Sequence, residues 1–234
     1  MKENGVLTTK IMIGILVGIF LIGSIYDEFD YYLKGSMHLA RSDVEFQSVD
    51  KNHQYITEDG NKYILNDGHF TFLGIGVLRG EIWRLITGGF LHNDIVHLLC
   101  NCYCLWQFLP WITTQFGRFK AQLTLWLAVI GGAVLSGFKY DENGLGISNI
   151  NGLGISGGIF GLFGVYILSL WTIKKYNDNP QIRNALNSAY LMLGINLFLG
   201  FSIPNISNLG HIGGLITGLI LGKIFMRPKY EAIS

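Results

Sequence analysis

The chain has 234 residues, half of them apolar, with 31 glycines but only 17 basic and 16 acidic side chains. Charged residues make up 14% of it, where a water-soluble domain carries about a quarter, and a net charge of +1 excludes the basic surface that a nucleic-acid partner needs. Four prolines without a low-complexity tract argue against disorder, and three cysteines confined to 100–104 cannot form a disulfide framework, which leaves a membrane protein.

Six apolar runs follow one another at 11–26, 95–112, 121–138, 155–173, 185–203 and 206–225, each 16 to 20 residues long. A helix needs about 20 residues to cross roughly 30 Å of hydrocarbon. The first run lies between Lys10 and Asp27, as the core of a signal peptide would, but its flank GSIYDEFD has no small-residue cleavage site. It is expected to stay as an uncleaved span. The following loop, from Asp27 to about Asp94, is the only large piece outside the spans. Within it HQYITEDGNKYIL alternates on either side of Asp59-Gly60, the pattern of a β-hairpin. That hairpin is either a solvated decoration or a contact for a partner or substrate. The apolar stretch 71–78 is too short to cross and is expected at the interface.

Of all charged residues only Lys223 falls inside a run, near an end where its stem can snorkel. With the N-terminus inside, ten bases gather on the inner side (Lys2, Lys10, Arg118, Lys120, Lys174, Lys175, Arg183, Lys223, Arg227 and Lys229) against Glu3, Asp178 and Glu231. Short loops rich in Lys and Arg stay cytoplasmic, so the charge bias agrees with the span count. The expected fold is an all-α bundle of six transmembrane helices with a long first outer loop. It divides into an N-terminal tail and first helix (1–26), an extracytoplasmic loop (27–94), a five-helix core (95–226) and a cytoplasmic tail (227–234).

Polar side chains inside spans are costly and mark function. His97 and Asn101 in the second run, Ser156 in the fourth and His211 in the sixth all lie within about two turns of the outer end of their span. Gly210, Gly214, Gly218 and Gly222 recur every four residues in the sixth, and Gly154, Gly157, Gly158, Gly161 and Gly164 line the fourth. Such spacing lets helix backbones approach closely in a bilayer, although by itself it is ordinary packing. Ser156 and His211 supply a nucleophile and a base. No acid lies in any run, so a third orienting carboxylate is missing. Phe160, one turn after Ser156, is either plain core or a support for the imidazole. His97 and Asn101, at i and i+4, share a helix face and can donate to an oxyanion together with amides at the helix start near 154–157. Asn187 and Asn196 are read as helix–helix hydrogen bonds.

At this point the chain resembles the rhomboid family of intramembrane serine proteases. The resemblance rests on Trp83-Arg84 in GEIWRLITGGFLH, on HNDIVHLLCN with His92, His97 and Asn101, on GISG at 154–157 and on GHIGG at 210–214. It covers about 70–225 and implies the six-span rhomboid bundle. It implies Ser156 as nucleophile and His211 as general base and acid. His97, Asn101 and the Ser156 amide would stabilise the oxyanion. Gly154, Gly157, Phe160, His92, Trp83 and Arg84 would support the site. The implied activity is cleavage of single-span membrane proteins near the outer face of the bilayer. The compact core points to a bacterial plasma membrane, with an organelle membrane as the alternative, and the charge bias places both termini in the cytoplasm. No cofactor or metal is expected. The outer loop is longer than the family's usual one through 27–68, and Cys100, Cys102 and Cys104 are unusual.

Three other readings compete. A transporter could use the same polar groups as a pathway, but ion coupling would call for acidic residues in mid-span. A metal could sit on His97, Cys100 and Cys104, whose types suit zinc or copper. A non-catalytic relative could bind membrane proteins without cutting them, against which stands the presence of both Ser156 and His211.

Overall fold

The computed structural model of the chain describes residues 2–25, 82–92, 94–136, 154–202 and 206–230, and five strands outside these. The helices are α1 (Lys2–Ile25), a short α2 (Arg84–Thr87), α3 (Ile95–Phe116), α4 (Arg118–Ser136), α5 (Ser156–Tyr176), α6 (Pro180–Ser202) and α7 (Asn208–Tyr230). The strands are β1 (Phe46–Val49), β2 (Gln54–Thr57), β3 (Lys62–Ile64), β4 (Phe138–Asp141) and β5 (Gly144–Ile147).

Among the described residues five helices are long and apolar enough to cross a membrane: Glu3–Ser24, Ile95–Phe116, Arg118–Ser136, Ser156–Tyr176 and Asn208–Met226. The fifth expected span, 185–203, falls on α6, which has 23 residues. Gln181, Arg183, Asn184, Asn187, Ser188 and Asn196 dilute its apolar character, so α6 is a helix of spanning length without the hydropathy of the other five. It starts earlier than the apolar run because Asn179 caps it, accepting from the Ile182 amide at 3.0 Å, with Pro180 in the first turn where a missing N–H costs nothing.

β2 and β3 pair antiparallel with Tyr55 opposite Tyr63, and β1 adds to the other edge of β2. The stretch 71–78 lies outside the described residues. The third expected span, 121–138, ends sooner than read: α4 stops at Ser136, and Phe138 opens a hairpin with β5. Ser136 closes the helix by bonding back to the Ala133 carbonyl at 3.0 Å.

α5 is the most enclosed helix, with Gly158 to Val165 buried without a break. Glycine lets its neighbours reach it. A Cβ on Gly158 would stand 2.7 Å from the Leu125 carbonyl oxygen of α4, and one on Gly164 would stand 2.7 Å from the Leu215 carbonyl oxygen of α7. Added Cβ atoms on Gly214 and Gly218 would fall onto the carbonyls of Gly157 and Gly161. α5 and α7 therefore touch backbone to backbone, as small residues permit in lipid. Away from this seam, fully buried Leu98, Leu105, Leu109, Ile112, Leu125 and Leu162 fill the space between α3, α4 and α5.

Candidate active site

Ser156 is the first residue of α5, after a turn in which Gly154 takes φ +94°. An L side chain rarely adopts that backbone, so glycine is what lets the chain turn sharply into the helix. The close seam between α5 and α7 then carries His211 to the serine. His211 Nε2 lies 3.1 Å from Ser156 Oγ, although the two residues are 55 positions apart. With the ring proton on Nδ1 the hydroxyl donates and Nε2 accepts, which is the arrangement a base needs to take that proton. Phe160 lies one turn on, so its side chain shares the serine's helix face. Its ring stacks on the His211 imidazole with centroids 4.1 Å apart and planes 8° from parallel. His211 Nδ1 is buried without a hydrogen-bond partner among the described residues.

α3 brings the second pair of polar groups. Asp94 caps it by accepting from the His97 amide at 2.8 Å, which fixes the start of the helix and with it the place of His97 and Asn101. Both face the serine turn. A Cβ added to Gly154 would stand 2.8 Å from His97 Cε1 and Nε2 and 3.4 Å from Asn101 Nδ2. His92 precedes the helix on the 3₁₀ turn Gly88–Phe90 and its exit. It is buried, with Nδ1 3.3 Å from the Phe90 carbonyl oxygen and Nε2 3.0 Å from Asn101 Nδ2. Burial, and then the neighbouring His97 ring, lower the His92 imidazole to about 4 against the pull of the Phe90 bond and Asp94, so the ring is neutral at physiological pH.

Gly154→Ala is expected to destabilise the chain by about 1–3 kcal/mol, because its side chain would enter the His97 ring in a backbone conformation that disfavours it. Thermal unfolding of the purified variant checks this, and a midpoint within about one degree of wild type would show that the turn tolerates the side chain.

A serine hydroxyl and an imidazole joined across two helices, faced by a histidine and an asparagine on a third, bring together the residues on which the sequence resemblance rests. A family model described as a Rhomboid domain matches residues 79–228. The chain belongs to the rhomboid family. RHOMBOID-like protein 6, mitochondrial, of Arabidopsis thaliana is 36% identical over 158 residues, covering 65% of this chain and 47% of the relative. RHOMBOID-like protein 1 of the same plant is 33% identical over 155 residues, covering 66% and 37%. Rhomboid protease GluP of Bacillus subtilis is 32% identical over 158 residues, covering 68% and 29%. This chain spans under half the length of these relatives.

The remaining positions singled out in this rhomboid are placed as follows. Gly157 lines the seam: a Cβ on it would touch the Ala128 and Gly210 carbonyls at 3.4 and 3.5 Å. Trp83 is about half exposed, and its carbonyl accepts from the amides of Ile86 and Thr87 at 3.0 Å, starting α2. Arg84 opens α2, and its side chain lies outside the described residues. One sequence expectation needs correcting. The Gly154 amide, counted among those free to complete an oxyanion hole, donates to the Gly88 carbonyl at 3.0 Å. That bond ties the 3₁₀ turn Gly88–Phe90 to the serine turn, and leaves of that stretch the amides of Ile155, Ser156 and Gly157, at the start of α5 where backbone donors lack helical partners. Gly88 and Asp94 were not singled out from the sequence. The Gly88-Gly89 pair and an aspartate directly before an apolar run are the signals that mark them.

Cys100, Cys102 and Cys104 are free thiols, and among the described residues no three His, Cys, Asp or Glu side chains converge as a metal site. The alternative of a metal on His97, Cys100 and Cys104 thus finds no assembled donor set there. Asn196 donates back to the Met192 carbonyl of its own helix at 2.8 Å, so its hydrogen bond stays within α6.

Proposed function

We propose that this rhomboid is an intramembrane serine endopeptidase that cleaves transmembrane segments of other membrane proteins with a Ser156–His211 dyad. The observation that carries the reading is the 3.1 Å approach of His211 Nε2 to Ser156 Oγ. Ser156 Oγ bonds to the scissile carbonyl carbon as its proton passes to His211 Nε2, and the carbonyl π pair moves to oxygen. His97, Asn101 and the Ser156 amide receive the oxyanion. On collapse the C–N bond breaks, His211 returns the proton to the leaving nitrogen, and an acyl-enzyme remains. Water then attacks that ester, its proton taken by His211 and handed back to Oγ as the acid departs.

In this reading α6 completes six spans, the termini lie in the cytoplasm and the site opens to the extracytoplasmic side. That orientation is supported by the gathering of ten bases on the inner side. Single-span proteins are the substrates it suits, because a hydrogen-bonded helical amide is shielded and a segment must unwind before Oγ can reach it.

A fluorophosphonate probe is expected to label the wild-type protein covalently and to leave Ser156→Ala unlabelled. Labelling of both to the same extent, read by gel fluorescence, would assign the reactive hydroxyl elsewhere.

A further inference from the structure

His92 lies outside the dyad, yet it is buried, and both its ring nitrogens are engaged. The chain of donors and acceptors has one solution. The Phe90 carbonyl can only accept, so His92 Nδ1 must carry the ring proton. The neutral ring then has a bare Nε2, which can only accept. Asn101 must therefore turn its NH₂ group, not its carbonyl oxygen, toward the histidine. The same Nδ2 stands beside Gly154 at the serine turn. One of its two N–H bonds is held by His92, which leaves the second for the space before Ser156.

An asparagine amide has two orientations of nearly the same shape and opposite polarity. Turned the other way, Asn101 would offer a carbonyl oxygen to a developing negative charge. We infer that His92 is a positioning residue, which locks the Asn101 amide in its donating orientation by reading the fixed backbone carbonyl of Phe90. The device is a relay of hydrogen-bond polarity from main chain to ring to amide. It rests on the dyad reading above and adds to it what sets the sign of one oxyanion donor. The groups around the ring are consistent with a neutral lock: His97 lies 5.0 Å away, ring to ring, and Asp94 caps the helix that carries Asn101.

The test is a double-mutant cycle on cleavage of a single-span model substrate in detergent, with Ser156→Ala as the zero. His92→Phe keeps an aromatic ring but offers no acceptor. It is expected to lower kcat about 10- to 100-fold with KM within about twofold, a part of what a lost oxyanion donor costs. In an Asn101→Ala background the same change is expected to have no further effect, since no amide is left to orient. His92→Gln carries both a carbonyl acceptor and an N–H donor and is expected to recover most of the rate. Equal losses in both backgrounds, or a loss confined to KM, overturn the proposal. Cleavage by Ser156→Ala would instead sink the dyad and not this relay.

A second measurement needs no variant. In uniformly labelled wild-type protein at neutral pH, the 15N shifts of His92 are expected to show a protonated Nδ1 and a bare Nε2. A protonated Nε2 overturns the proposal whatever the fate of His92→Phe.

Discussion

Ser156→Ala and His211→Ala are each expected to lower turnover of a transmembrane substrate by roughly 10⁴- to 10⁶-fold, and the double variant is expected to be no worse than either alone. A hydroxyl is a weak nucleophile until a base takes its proton, so neither partner retains value without the other. Both side chains are half-buried and neither belongs to the apolar core, so the folded state should survive: thermal unfolding of both variants should lie within a few degrees of wild type, since losses below about 1 kcal/mol move the midpoint little in a chain of this size. The measurement is single-turnover cleavage beside circular dichroism of the same samples. Additive losses in the double variant would mean that the two residues act separately, and that the 3.1 Å contact is packing.

Gly214→Leu is expected to be the most damaging change away from the chemistry. Its Cβ alone would overlap the Gly157 carbonyl, and main-chain atoms of a helix cannot swing aside as a flexible side chain does. Overpacking a tight core costs about 1–3 kcal/mol even where side chains can adjust. Here α5 and α7 must separate, and the dyad spans that seam. The variant should therefore lose both thermal stability and fluorophosphonate labelling. Gly194→Leu in α6 is the matched control, because a Cβ there meets nothing within 4 Å. If the two substitutions lower the unfolding temperature equally, the seam is looser than its glycines suggest.

Much of the site was legible because lipid penalises polarity. Ser156, His97, Asn101 and His211 stand out from apolar runs, and the four-residue glycine spacing says which helices can come close. The role of Phe160 against the imidazole could be framed as one of two readings, and the stacked rings place it beside His211. What stayed hidden depends on backbone geometry or on contacts between distant turns. The left-handed conformation of Gly154, the Gly88 carbonyl that holds its amide, and the bond from Asn101 to His92 have no periodic signature. In the fold, the end of α4 was overrun by two residues because Phe138 is as apolar in a strand as in a helix. The run 185–203 was read as a span for its apolar length, whereas the asparagines of α6 and Arg183 before the run set this helix apart from the other five.

The flat aromatic face beside His211 has a consequence for tempo. In hydrolases with a carboxylate behind the imidazole, muting that carboxylate slows turnover by about 10⁴-fold. Here Nδ1 has no acceptor among the described residues, and a π cloud is what greets the passing positive charge. Such a cushion is worth about 0.5–2 kcal/mol, far less than an anion. In the proposed mechanism a cation so lightly held is short-lived and cleavage is slow: pace is exchanged for freedom from a buried acid, which a span crossing lipid could ill accommodate.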